Sequence, residues 1–500
     1  MNSKNSKLGI KILMLFLMLG CGKDYLDKAP ITDYNPNGYY STTAAAKQGL
    51  YGVYDMLQKD GTYNRYLWSV VHGRSDDGNE AAGDSYDRLK DFSDDASTPA
   101  HNEGWIMHFQ GITRANSLIS GLEESTTVPA AEKVRIIAET KFLRALYYFN
   151  LVNIFGGVPI VTKPLSPTEA NIPRNTIEEV YKQIETDLLA AIDGLPLAKN
   201  LPTAEKGRAT KGSAQTLLAR AYLFQGNYTE AAKLSLEVIN SNQYILTPGE
   251  VGFRTNFLIA GENGPESIFE VQYSEANATK GWAQEEGNEG ANWLRPGFVG
   301  GWSGEMFSKS FREKAPNRPA ALQGIDPTDP RRKYTLTVPN TNLPVDGDLA
   351  YMVPKDVLPQ TSAKHWSTTG YQNGYNDAIN WIVLRYAEVL LIRAEALVEA
   401  SQNLDEATKR INEVRSRVGL TAIPAGKTQT ELRDILRYER RIELAQELTR
   451  YWDLRRWNLL PEAMKIAEKI NYQAKFKYAP IPQIQIDLSQ KVLTQNEGYK

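Results

Sequence analysis

GRATKGSAQTLLARAYLFQGNYTEAAKLSLEVINS, residues 207–241, is the stretch from which the fold is read. Apolar residues recur at helical spacing on both sides of Gln225-Gly226-Asn227, so it reads as two amphipathic helices split by a short turn. Leu218, Ala219, Tyr222 and Ala231 fall at the spacing of a tetratricopeptide helix pair, and the small Ala231 lets the second helix lie close to the first. A second copy occupies residues 384–418, LRYAEVLLIRAEALVEASQNLDEATKRINEVRSRV, where NLDEATK (403–409) aligns residue for residue with NYTEAAK (227–233). Upstream of these segments the register agrees less well, so the repeat is degenerate. A helix pair cannot bury its apolar faces alone, so such pairs must stack. The expected fold class is mainly α: a tetratricopeptide-like helix-pair scaffold with an inserted irregular, loop-rich lobe carrying a few short strands.

That lobe is the region between the copies, 242–380, rich in Gly, Pro, Asn and Trp and poor in helical runs. Upstream, helical patterns cover 42–57, 104–122 and 130–154, the last ending at Gly156-Gly157 before the strand-like VPIVT. NTIEEVYKQIETDLLAAIDGL (175–195) predicts a helix with Asn175 as N-cap and acidic residues in its first turn. Residues 72–103 are polar and rich in Gly and Asp; a loop this long in a compact domain is functional or mobile. The division expected is a signal segment 1–20, a polar tether 21–40, a helical scaffold 41–241 with its loop 72–103, a ligand-binding lobe 242–380, and a C-terminal helix pair with closing helices 381–500.

Cys21 is the only cysteine among 500 residues, so it has no internal disulfide partner. Lys4, Lys7 and Lys11 precede an uncharged, almost wholly apolar run, Ile12–Leu19, and Gly20 stands directly before the cysteine. This is the layout of a bacterial secretory signal, and a cysteine at the cut is that of a lipoprotein, lipidated at Cys21. Met18 and Leu19 depart from the usual residues there; a plain secretory signal with a free Cys is the alternative. The run is shorter than the roughly 20 residues needed to span a bilayer. A formal net charge of −2 gives no footprint for nucleic acid.

Chemical motifs are few. In YERRIELAQELTRYWDLRRW (438–457), Glu439, Glu443 and Glu447 stand at i, i+4 and i+8 on one helix face among several arginines. Two carboxylates that cleave a glycosidic bond must bracket it, which neighbours on one helix do not, so an Arg/Glu network tying the last helices to the scaffold is expected. AGKT (425–428) lacks the first glycine of a phosphate loop, and GGWSGE (300–305) lacks the closing glycine of a nucleophile elbow. The four histidines form no HExxH, and one cysteine builds no structural zinc site. No cofactor is expected; the Asp-rich loop leaves a structural Ca²⁺ open. What remains is aromatic. Trp282, Trp293 and Trp302 lie in an irregular stretch, and Arg74, Asp77, Asn79 and Tyr86 in the other polar loop. A ring flanked by Asn, Asp and Arg suits a sugar, whose CH face stacks while its hydroxyls take hydrogen bonds. These seven are the candidate ligand contacts.

The chain resembles the SusD/RagB family of Bacteroidetes outer-membrane lipoproteins. CGKDYLDKAP (21–30), AETKFLRALYYFNLVNIFGGVPIVT (138–162), the segments opening at 207 and 384, ERRIELAQELTRYWDLRRW (439–457) and YAPIPQIQIDLSQKVLTQNEGY (478–499) are similar to its motifs in order and spacing. The resemblance implies a non-enzymatic, lipid-anchored protein on the outer face of the outer membrane. It would act as lid of a SusC-like TonB-dependent transporter, capturing oligosaccharides or, in some members, peptides. Two rival classes stay open. One is a glycan-active enzyme. The other is a repeat scaffold that binds only protein, which requires the three tryptophans to be buried.

Overall fold

The structure, a computed structural model, describes residues 39–80, 86–274, 287–315, 317–344, 350–356, 361–365 and 377–499. The expected signal segment, Cys21 and Trp282 lie outside the described residues. The N-terminal part runs through α1 (Thr43–Asp55), β1 (Gly78–Glu80), α2 (Asp87–Lys90), α3 (Pro99–Glu124), α4 (Ala130–Phe155), α5 (Ile177–Gly194), α6 (Lys211–Phe224) and α7 (Tyr228–Asn240). Short elements follow: α8 (Gly249–Thr255), β2 (Ser267–Val271), α9 (Glu289–Leu294), β3 (Glu305–Phe307), α10 (Lys309–Arg312), α11 (Arg332–Thr335), β4 (Asn342–Pro344) and β5 (Ala350–Met352). The chain closes with β6 (Trp381–Arg385), α12 (Tyr386–Glu399), α13 (Leu404–Arg417), α14 (Gln429–Glu443), α15 (Arg450–Arg456), α16 (Leu460–Ile466) and α17 (Gln483–Leu488).

The aligned asparagines of the two repeats do the same work. Asn227 Oδ1 accepts from the Glu230 backbone N–H at the start of α7, and Asn403 Oδ1 from that of Glu406 at the start of α13. Four residues after each cap an alanine, Ala231 or Ala407, is fully buried where the paired helices meet. The long helices stack in series, α3 on α4, α4 on α5, α5 on α6 and α6 on α7; α7 then packs on α12, and α12 on α13 and α14. The superhelix is therefore continuous in space although residues 241–385 interrupt it in sequence. Charged clamps join successive layers. Arg144 grips Asp187 with two bonds of 2.7 and 2.8 Å between α4 and α5, and Arg220 grips Glu388 between α6 and α12.

Among the described residues the sheets are all two-stranded and antiparallel: β1–β3, β2–β6 and β4–β5. Trp381, Leu294 and Leu322 join the main helical core, so the irregular region is packed into the scaffold. Phe307, Phe311, Ile325 and Leu336 form a satellite core with Ile442 of α14.

Several local expectations are corrected. VPIVT forms no strand; the Tyr148 hydroxyl holds it, accepting from Val161 N–H at 2.7 Å. The N-cap of α5 is Thr176, in a capping box with Glu179, while Asn175 Oδ1 accepts from Ile160 N–H. Helix α14 ends at Glu443, so Glu447 lies beyond it after a turn with Gln446 at φ 61°. Arg385 draws Glu443 and Glu447 back together, at 2.6 Å from each. Residues 71–78 are buried and not part of a solvated loop, because Arg441 and Arg450 reach Asp76 and Asp77 there.

Two histidines carry a pH dependence. Burial, with the charge of Lys469 adding to it, pushes His72 down to about 3, and burial pushes His108 down to about 4. The unfolded value is near 6.5, so the unfolded chain takes up these protons first. This part of the stability is complete above about pH 6.5 and is lost as pH falls towards the folded values. At about 1.36 kcal/mol per pH unit, each histidine should cost about 2 kcal/mol between pH 6.5 and 5. Urea titrations at the two pH values should show the loss, and His108→Gln should shrink it.

Candidate ligand-binding site

The site is built on helix α9. Asn288 caps it, accepting from Ala291 N–H at 3.0 Å, and Asn64 adds a second cap, its Oδ1 accepting from Glu289 N–H at 2.8 Å. Asn64 is itself oriented by a 2.9 Å bond from its Nδ2 to Asp60. A Cβ at Gly290 would meet Asn64 O at 2.7 Å, so glycine lets the helix seat on residues 60–64.

From this helix Trp293 projects to Trp302, ring centroids 4.9 Å apart and planes at 75°. Both rings are half-buried. The returning chain is clamped to the helix end: Trp302 N–H donates to Asn292 O at 2.9 Å, and Gly304 N–H to Trp293 O at 2.8 Å. The Trp293 ring lies against Gly304, where an added Cβ would stand 2.0 Å from Cε3.

Behind the pair, the Arg65 guanidinium sits between two rings, 4.4 Å from Trp293 and 4.1 Å from Tyr86. The Tyr86 hydroxyl donates to Glu103 at 2.6 Å. Burial pushes the Glu289 carboxyl up to about 7, the Asp60 carboxylate adding to the shift and Arg65 opposing it. A carboxyl near half-protonation at neutral pH can donate as well as accept. The two steeply inclined indoles combine apolar surface with polar groups at their margin, the chemistry that a sugar ring takes.

Of the sequence candidates, the structure brings Tyr86, Trp293 and Trp302 together. Tyr86 is buried behind the platform as its backing. Asn79 is exposed on β1, opposite Met306 of β3. Arg74 and Asp77 are turned inwards: Arg74 pairs with Asp94, and Asp77 with Arg441 at 2.8 Å. Both are nearly inaccessible and serve as buried ion pairs, with no face left for a ligand. Their partners lie up to hundreds of residues away in sequence, so local pattern gave no sign of this. The loop carboxylates Asp76, Asp77 and Asp94 are likewise bound to arginine. Trp293 sits on a helix, contrary to the irregular reading. That helix carries the missed signal: Glu289 stands four residues before Trp293, on the same face. Arg65, Asp60 and Glu103 had no such signal.

Two family models match the chain, one described as the SusD family over residues 360–499 and one as starch-binding associating with outer membrane over residues 24–223. A solved laminarin-binding SusD-like protein is 30% identical, with a TM-score of 0.73, covering 92% of this chain and 100% of that one. This chain belongs to the SusD/RagB family. SusD-like protein P2 of Formosa agariphila is 27% identical over 98% of this chain and 98% of its own. Surface glycan-binding protein A from Bacteroides thetaiotaomicron is 25% identical, with a TM-score of 0.73 over 92% of this chain and 100% of that one. The helix-pair scaffold expected from residues 207–241 is thus the fold of a SusD/RagB protein.

Proposed function

We propose that this protein is a non-enzymatic, cell-surface glycan-binding lipoprotein. It would be anchored in the outer membrane through lipid on Cys21 and hand oligosaccharide to a SusC-like TonB-dependent transporter as its lid. The observation that carries the glycan reading is the half-exposed Trp293–Trp302 pair, fixed by the α9 clamp and backed by Arg65. Relatives described as laminarin-binding and glycan-binding support it. The exposure of these two rings speaks against a scaffold that binds only protein. Handover requires the lid to open and close, and ligand must favour one state to shift it. It also requires weak capture, in the micromolar to millimolar range, about −8 to −4 kcal/mol.

The test is binding of residues 22–500 to a panel of neutral and acidic oligosaccharides and peptides, followed by tryptophan fluorescence and calorimetry together. A saturable glycan signal without turnover of the ligand supports the reading. Binding of peptides alone would move the function to peptide capture, and turnover would make it an enzyme. Full-length Cys21→Ala is expected to leave the membrane fraction; retention after carbonate washing would overturn the anchor.

A further inference from the structure

The β1–β3 ribbon carries the aromatic clamp before its second strand and a different surface after it. Ser308 follows β3 and caps α10, its hydroxyl accepting from Phe311 N–H. Beside it lies a hollow of about 340 Å³ lined by Lys90, Lys309, Arg312 and Lys469, with Asp91, Glu468 and the exposed Asn79. Among the described residues, four cations thus line it with two carboxylates.

Two of the four are already held, Lys90 by Asp87 at 3.3 Å and Lys469 by the Gly73 carbonyl, whereas Arg312 and Lys309 are poorly neutralised. The Arg312 guanidinium makes one bond, Nε to Phe307 O at 3.1 Å, and has no carboxylate within ion-pair distance among the described residues. The only ion-pair partner of Lys309 among them is Glu313, at 4.0 Å between two exposed side chains. Arg332 of α11, which feels the charge of Arg312, has a buried Nε with no acceptor among the described residues. Burial first, and the charge of Arg312 second, hold the Arg332 guanidinium below its ordinary value, so the two arginines repel each other. The adjacent Arg331 shows how this chain treats a buried arginine elsewhere, with Asp329, Glu439 and Glu443 all bonded to it. Arg312, without a carboxylate partner among the described residues, and the exposed Lys309 line a hollow open to solvent and fit an anion that arrives with the ligand.

We propose that this hollow holds an anionic substituent of the captured glycan, a sulfate ester or a uronate carboxylate, so that the protein selects acidic over neutral oligosaccharides. The proposal rests on the glycan-capture reading. Strand β3, three residues and about 10 Å long, separates Gly304, on which the Trp293 ring rests, from Ser308 at the hollow, a span within the reach of one oligosaccharide.

The experiment compares a sulfated galactan oligosaccharide, its desulfated form and oligogalacturonate by calorimetry at two salt concentrations. The wild type is set beside Arg312→Ala and the exposed Lys309→Ala. The wild type should bind at least one acidic ligand about tenfold more tightly than the neutral form, with the gap closing at high salt. Preference for the sulfated ligand points to a sulfate ester, and for oligogalacturonate to a carboxylate. Both variants should lose the preference while keeping their affinity for the neutral ligand, which also shows that they fold. Equal binding of acidic and neutral forms, or a preference that survives both substitutions, overturns this inference and leaves glycan capture standing. No binding to any of the three ligands, together with a glycan-negative panel, overturns both.

Discussion

Arg385→Ala is expected to lower the stability of the fold by about 3–5 kcal/mol, the cost of stranding buried carboxylates. Arg385 is nearly inaccessible and sits where β6 passes into α12. It bonds Glu266 at 2.7 Å, Glu443 at 2.6 Å and Glu447 at 2.6 Å. The same carboxylates are shared: Arg417 bonds Glu266 and Glu443, Arg331 bonds Glu443, and Lys364 bonds Glu447. Burial works to raise the Glu443 carboxyl, and the guanidiniums of Arg417, Arg385 and Arg331 outweigh it and hold the group well below the carboxylate range. This is the Arg/Glu network expected from residues 438–457, and it also draws in Arg331 and Lys364 from the irregular region. Urea unfolding followed by circular dichroism should show the midpoint falling sharply. The exposed pair Lys163–Glu169, 68% and 49% accessible, is the control, and Lys163→Ala should leave the midpoint unchanged. Equal effects from both substitutions would show that the buried network does not hold the layers together.

Trp293→Ala is expected to weaken glycan binding between tenfold and a hundredfold, about 1.5–3 kcal/mol, with little change in unfolding midpoint. The ring is half-buried and stands at the edge of the core, resting on Gly304 and Arg65. At a millimolar starting affinity such a loss would remove detectable binding. Gly304→Ala is the companion experiment: the added methyl occupies the place of the Trp293 ring edge and should displace it, weakening binding while Trp293 is retained. If both variants bind as tightly as the wild type, the platform is not the ligand site, and capture must then lie elsewhere on the molecule.

The sequence by itself determined the repeating part of this protein. Apolar spacing, the Gln225-Gly226-Asn227 break and the matched caps Asn227 and Asn403 are local features. Helix pairing between chain neighbours follows from them because the interacting residues lie within a few turns of one another. The carboxylate and arginine content of residues 438–457 announced an Arg/Glu network, but its burial and most of its partners, such as Arg331, Arg385 and Asp77, come from distant parts of the chain. Tertiary structure alone decided which polar residues face solvent. Arg74 and Asp77 read as loop residues until Asp94 and Arg441 took them inwards, and Glu447 rejoined Glu443 through Arg385 and Lys364. Trp293 gained a platform only because Asn64, Arg65 and Gly304 converge on it from separate segments. A side chain's exposure depends on the charges and backbone that arrive from distant parts of the chain, and periodicity within one segment does not carry that information.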